Sequence, residues 1–138
     1  MKVFLDANIL FSAADPASAT HRLLETVARH TSTMTCPHAW EEARRNLQLK
    51  RPEHLNGQSE LKRLVTLSHA FALPPETDLP PCDVPILAGA LGSRCTHLWT
   101  SDKKHFGRYY GKDLAGVRVV SSVLLADELD NNKEGKVF

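Results

Sequence analysis

Apolar positions in this chain recur with two periods, and the change from one to the other marks its elements. Residues 2–5 form a short apolar run closed by Asp6 and read as a strand. Residues 8–14 have room for one or two helical turns, which the Asp15-Pro16 pair breaks. From Ser18, the positions Leu23, Leu24, Val27 and Ala28 fall at helical spacing and predict an amphipathic helix to about His30. Residues 31–36 are threonine-rich around Met34 and read as a second strand. Pro37 suits the first turn of a helix whose core face holds Trp40, Ala43 and Leu47, and Pro52 ends it.

The second half repeats this alternation. Residues 58–69, with Leu61, Leu64, Val65 and Ser68, predict another helix, followed by the brief apolar run Phe71-Ala72-Leu73. Residues 74–82 hold four prolines and read as a loop. Asp83 is placed to cap a helix with Pro85 in its first turn and Ile86, Leu87, Ala90 and Leu91 on its buried face. Residues 97–100 and 117–120 read as strands and 123–129 as a closing helix. Alternating strands and helices predict an α/β domain with a mostly parallel sheet and helices on both faces. Right-handed crossovers then put the carboxyl ends of the parallel strands on one edge.

Composition narrows the picture. The chain has 138 residues, enough for one domain, expected over 1–130, with 131–138 polar enough for a flexible tail. Lys+Arg 17 against Asp+Glu 16 leaves a net charge of +1, which argues against a basic-tail nucleic-acid binder. No apolar run approaches the roughly 18 residues of a membrane span, and Asp6 comes too early for a signal peptide. Cys36, Cys82 and Cys95 form no CxxC pair; their odd number suits a reducing, cytoplasmic setting, with all three expected as small buried residues. Seven scattered histidines show no HExxH spacing, which argues against a histidine-built zinc site.

The candidate chemistry is acidic. Asp6 follows the first strand, Asp102 lies just beyond the strand at 97–100, and Asp83 opens the helix that feeds that strand. Ligands of an open parallel sheet bind outside its carboxyl edge. Taken singly, Asp6 and Asp102 could serve a turn, Asp83 a helix cap, and Glu41 or Glu42 a solvated helix face. Gathered at one edge, they repel one another and call for protons or a cation. Oxygen donors without Cys or His favour Mg²⁺ or Mn²⁺ over zinc. Helix phase does not separate the two glutamates, because both flank the far side of the face defined by Trp40, Ala43 and Leu47.

Four segments then resemble, in order, the motifs of PIN-domain nucleases. Val3-Phe4-Leu5-Asp6-Ala7-Asn8-Ile9-Leu10 is similar to the opening hhhDxNhh motif, with h apolar. Cys36-Pro37-His38-Ala39-Trp40-Glu41-Glu42-Ala43 resembles the second, a strand leading into a helix with one acid. Asp83-Val84-Pro85-Ile86-Leu87-Ala88-Gly89-Ala90 resembles the third, and Leu98-Trp99-Thr100-Ser101-Asp102-Lys103-Lys104-His105-Phe106 the fourth, with its Thr-x-Asp turn. The single-domain layout resembles the VapC-type toxins of toxin–antitoxin pairs.

The resemblance implies a Rossmann-like three-layer α/β/α sandwich and an endoribonuclease dependent on one or two Mg²⁺ or Mn²⁺ ions. Its acids would be Asp6, Glu42, Asp83 and Asp102, with Glu42 chosen because the family's acid usually precedes a small residue, here Ala43. Asn8 and Thr100, and more weakly Ser101, would support them by hydrogen bonds. Trp40 departs from the aliphatic residue usual there, and Asp78 is the one further acid in the Pro-rich loop. Basic residues interleaved with aromatics after Asp102 suggest that Lys103, Lys104, His105 and Arg108 hold RNA. An antitoxin would be the protein partner, and a homodimer could use the early helices around Phe11, Leu23, Leu24 and Val27. The competing classes are a solitary PIN nuclease of RNA processing, a non-catalytic RNA- or protein-binding module, and a small phosphatase. The last is disfavoured because Asn8 replaces the second acid of a DxD motif.

Overall fold

The computed structural model describes residues 1–135. Its centre is a six-stranded sheet in the order β3-β2-β1-β4-β6-β5. The strands are β1 (Lys2–Leu5), β2 (Ser32–Thr35), β3 (Thr66–Leu67), β4 (His97–Trp99), β5 (Asp113–Leu114) and β6 (Val117–Val120). All neighbours run parallel except β5, which pairs antiparallel with β6. Helices flank the sheet: α1 (Ala7–Ala13), α2 (Ala19–His30), α3 (Pro37–Lys50), α4 (Leu55–Glu60), α5 (Val84–Gly92), α6 (Lys103–Phe106) and α7 (Ser122–Gly135). This is the three-layer α/β arrangement expected from the alternation. No helix among the described residues is long and apolar enough to cross a membrane.

The central strands are apolar because both faces are covered. Val3, Phe4 and Leu5 of β1 are fully buried, as are Leu98 and Trp99 of β4. Chain direction changes sides between these two strands: β1 pairs β2 on one flank and β4 on the other. The crevice beyond their carboxyl ends is therefore the place where this topology leaves room for a ligand. Local chemistry fixes the helices that surround it. Ser18 caps α2 by accepting the His21 N–H at 3.0 Å, and Pro37 occupies the first turn of α3. Along α5, residues Ile86 to Ala90 are all buried. A Cβ on Gly92 would lie 2.2 Å from the Cα of Phe71, so only glycine lets the 71–73 segment lie against this helix.

Three expectations need correction, and one element was not expected. The helix expected over 58–69 stops at Glu60, makes a 3-10 turn at Leu61–Arg63, and leaves Thr66 and Leu67 to pair with Met34 and Thr35. Leu61 and Val65 are buried as expected; three- and four-residue spacing buries them equally well in a turn, while the open edge of β2 takes the backbone that follows. The hairpin β5–β6 was not foreseen; Ala115 and Gly116 make its two-residue turn with φ of +54° and +93°. The closing helix runs through Gly135, past residue 131 where the polar tail was expected, because polarity does not stop a helix whose buried Leu125 and Leu129 hold it down. Lys136, Val137 and Phe138 of that expected tail lie outside the described residues. Cys36 and Cys95 are buried, whereas Cys82 is exposed on the 3-10 turn Pro81–Asp83.

Leu24 and Val27 are fully buried within the domain, and Phe11 and Leu23 half-buried, so the early-helix apolar face serves mainly the core.

Candidate metal centre at the carboxyl edge

A cleft of about 330 Å³ opens at the crevice beyond β1 and β4. It is lined by Asp6, Glu42, Asp83 and Asp102, carried by four separate segments of the chain. Asn8 and His105 share its wall, as do Asn46 and Lys50 of α3.

Asp6 is the best-anchored acid and the most deeply buried, at 4 % exposure. Its Oδ1 accepts the Ala7 N–H at 2.7 Å, capping α1. Its Oδ2 accepts the Thr100 hydroxyl at 2.8 Å and the Asn8 amide at 3.4 Å. Thr100 in turn accepts the Asp102 N–H at 3.1 Å, and Asn8 Oδ1 accepts the Ser101 N–H at 3.0 Å. Asn8 and Thr100 thus tie the end of β1 to the turn after β4. Ser101 contributes its backbone amide to this tie. Tyr110 adds a brace that the sequence did not single out, donating its hydroxyl to the Thr100 carbonyl at 3.0 Å.

Burial raises the Asp6 carboxyl from 3.8 to about 6, and Asp83 and Glu42 push the same way against the bonds from Thr100 and Ala7. Asp83 is raised above the ordinary carboxylate range by burial first, with Asp102 and Glu42 adding repulsion and His105 opposing it. Asp83 begins α5 without capping it, since no side-chain bond reaches the helix amides. Its Oδ2 is buried and without a hydrogen-bond partner. His105 Nδ1 lies 2.8 Å from that oxygen and 2.9 Å from Asp102 Oδ2, which meets the distance of an ion pair without the alignment of a hydrogen bond. An orphaned buried oxygen among repelling carboxylates fits a divalent cation chemically, and oxygen donors suit Mg²⁺ or Mn²⁺.

The structure separates the two glutamates. Glu42 lines the cleft, whereas Glu41 is exposed and bonded to Arg44. The signal was present in the sequence: Glu42, Asn46 and Lys50 stand four residues apart and make one polar line along α3. Of the residues expected to hold RNA, Lys103 and Lys104 are exposed on α6, directly after Asp102. His105 is turned inward between two acids, and Arg108 is bound to Asp78 at 2.7 Å over the ring of Tyr109. Asp78 therefore stands with Arg108 outside the cleft lining. Trp40 is half-buried, with Lys62 5.7 Å over its ring, and is likewise absent from that lining.

The three-layer fold recurs in solved structures. The chain shares its fold with VapBC2 from Rickettsia felis, solved bound to a DNA fragment from their promoter: the TM-score is 0.66 at 15 % identity, covering 88 % of this chain and 98 % of that one. It also shares it with VapC20 from Mycobacterium tuberculosis, a sarcin–ricin loop cleaving toxin: TM-score 0.56, 12 % identity, 78 % of this chain and 95 % of that one. The fold is that of the VapC-type toxins, in keeping with the PIN-domain motifs. No family profile matches the sequence, and no curated protein does.

Proposed function

We propose that this chain is a metal-dependent endoribonuclease and the toxin of a toxin–antitoxin pair. The observation that carries this reading is the convergence of Asp6, Glu42, Asp83 and Asp102 on one cleft, where His105 is the basic group facing two of them. The fold it shares with VapC20, named as a toxin that cleaves the sarcin–ricin loop, supports RNA as the substrate class. The fold it shares with VapBC2 supports an antitoxin as partner.

In this reading Asp6, Asp83 and Asp102 hold Mg²⁺ or Mn²⁺, and Glu42 binds a second ion or orients the attacking water. The ion, when bound, acidifies that water and neutralises charge developing on the phosphate oxygens. The chain's own work is positional. Thr100 and Asn8 fix the Asp6 carboxylate through hydrogen bonds and lock it to the turn bearing Asp102. Lys103 and Lys104 contact phosphates flanking the scissile bond, since the acids themselves repel RNA. Lys50 offers a positive charge on the cleft wall. An antitoxin segment carrying Arg or Lys would neutralise the same carboxylates and block them.

The test is incubation of an RNA pool with and without Mn²⁺, comparing the wild type with Asp6→Asn. Cleavage that requires the ion and disappears in the variant supports the assignment. Wild-type cleavage by Asp6→Asn would overturn the site. Absence of both cleavage and metal-dependent thermal stabilisation would favour the binding-module class.

A further inference from the structure

We propose that Cys82, Asp83 and His105 form a seat for a thiophilic transition-metal ion of the Zn²⁺ type. It differs in donors from the oxygen site above and shares Asp83 with it. Spacing along the chain hides this grouping, because His105 is remote in sequence from the other two and no metal-binding repeat links them. The fold brings one donor atom of each within 4.8 Å of the others, the one such His/Cys/acid group among the described residues.

The geometry leaves a ligand able to take the place of an ion pair. Asp83 is only 8 % exposed, and its Oδ2 has no hydrogen-bond partner. Facing it at 2.8 Å is His105 Nδ1, also buried and also without one. The two atoms stand at ion-pair distance, yet neither makes an aligned hydrogen bond, which is uncommon for buried polar groups. A cation that accepts one lone pair from each satisfies both. Asp102 Oδ2 is 2.9 Å from the same nitrogen but lies outside the three-donor group, so a water would take the fourth position.

The donor types select the ion. Thiolate, imidazole and carboxylate together suit zinc, which takes four such ligands, whereas Mg²⁺ takes oxygen almost exclusively. At bond lengths of roughly 2.0–2.3 Å, zinc donors stand about 3–4 Å apart. The His105 nitrogen and the Asp83 oxygen, 2.8 Å apart, are already near that spacing. Cys82 is exposed, so its side chain can turn towards them without disturbing the core. On binding, the Cys82 thiol forms the S–metal bond and releases its proton to solvent. Because Asp83 serves both sites, occupation by zinc withdraws it from the oxygen site. Zinc is then an inhibitor of cleavage supported by Mg²⁺ or Mn²⁺.

Cobalt titration of the full-length protein tests this without relying on activity. Wild type should bind one Co²⁺ with intense tetrahedral visible bands and a thiolate-to-cobalt charge-transfer band in the near ultraviolet. Cys82→Ser should lose the charge-transfer band, and both Cys82→Ser and His105→Gln should weaken Zn²⁺ binding at least tenfold. Asp6→Asn, whose side chain belongs only to the oxygen site, should keep the cobalt spectrum, so this result stands whether or not the protein cleaves RNA. Circular dichroism confirms that each variant is folded. An identical cobalt spectrum in wild type and Cys82→Ser, or a weak octahedral spectrum in both, overturns the proposal.

Discussion

Two clusters built around β4 treat carboxylates in opposite ways. Near the amino end of the strand, Glu128 of α7 lies 3.0 Å from His97 Nε2 and 3.3 Å from Arg118 Nε, so one acid has two basic partners. Past the carboxyl end, four acids share one cleft, and His105 is the basic group in contact with two of them. The first cluster balances its charge and fastens α7 to the sheet, although Glu128 Oε2, like Asp83 Oδ2, makes no aligned hydrogen bond. The second is left short of positive charge, with one acid held in its protonated range to about pH 6. Gathering like charges is costly to a fold, and a cation at the proposed site would relieve that cost.

The largest test of this contrast removes an acid from the cleft. Asp102→Asn should reduce Mn²⁺-dependent RNA cleavage by roughly a hundredfold or more, read as the initial rate on a defined RNA. Next comes stability in the absence of metal. The native Asp6 carboxyl keeps its proton to about pH 6, against 3.8 ordinarily, so between those values the folded chain binds more protons than the unfolded one. Its contribution to stability is full below the lower value and is lost as pH rises through the upper one. That loss amounts to at most about 3 kcal/mol. Urea unfolding in EDTA should therefore find Asp6→Asn more stable than wild type at pH 8, by about 1–2 kcal/mol after the altered Thr100 bond is allowed for. The advantage should vanish near pH 4.

A smaller effect separates the neighbouring glutamates. Glu42→Gln should slow cleavage about tenfold, and Glu41→Gln, which touches only Arg44 on the surface, should leave the rate unchanged. Equal losses in the two variants would show that α3 presents a different face to the substrate. The smallest effect belongs to the charge-balanced cluster. Glu128→Gln should cost about 1 kcal/mol of unfolding free energy, because the pair is partly exposed, and should leave cleavage as it was.

The comparison also shows where local sequence carries information. Strand β1 and its Asp6 were legible because an apolar run ended by an acid has one physical reading, a buried strand meeting solvent. The Pro37 start of α3 and the capping of α2 by Ser18 were legible for the same reason, since both are settled within a turn of chain. The segment 58–69 was not, because Leu61 and Val65 bury equally well from a helix or a turn, and the open edge of β2 decided between them. Inward rotation of His105 was not legible either. Its neighbours Lys103, Lys104 and Arg108 suggested a basic surface, and only the approach of Asp83 from α5 gave the ring two acids to face.

The sequence by itself determined an α/β chain with acids at the ends of its strands, through periodicity and the order of four short motifs. Tertiary structure decided which glutamate enters the cleft, that Cys82 is exposed beside Asp83, and that Arg108 is bound to Asp78. The reason is physical. Hydrophobic periods are set by neighbours a few residues away, whereas the charge balance of a site sums over segments that meet only when the sheet closes.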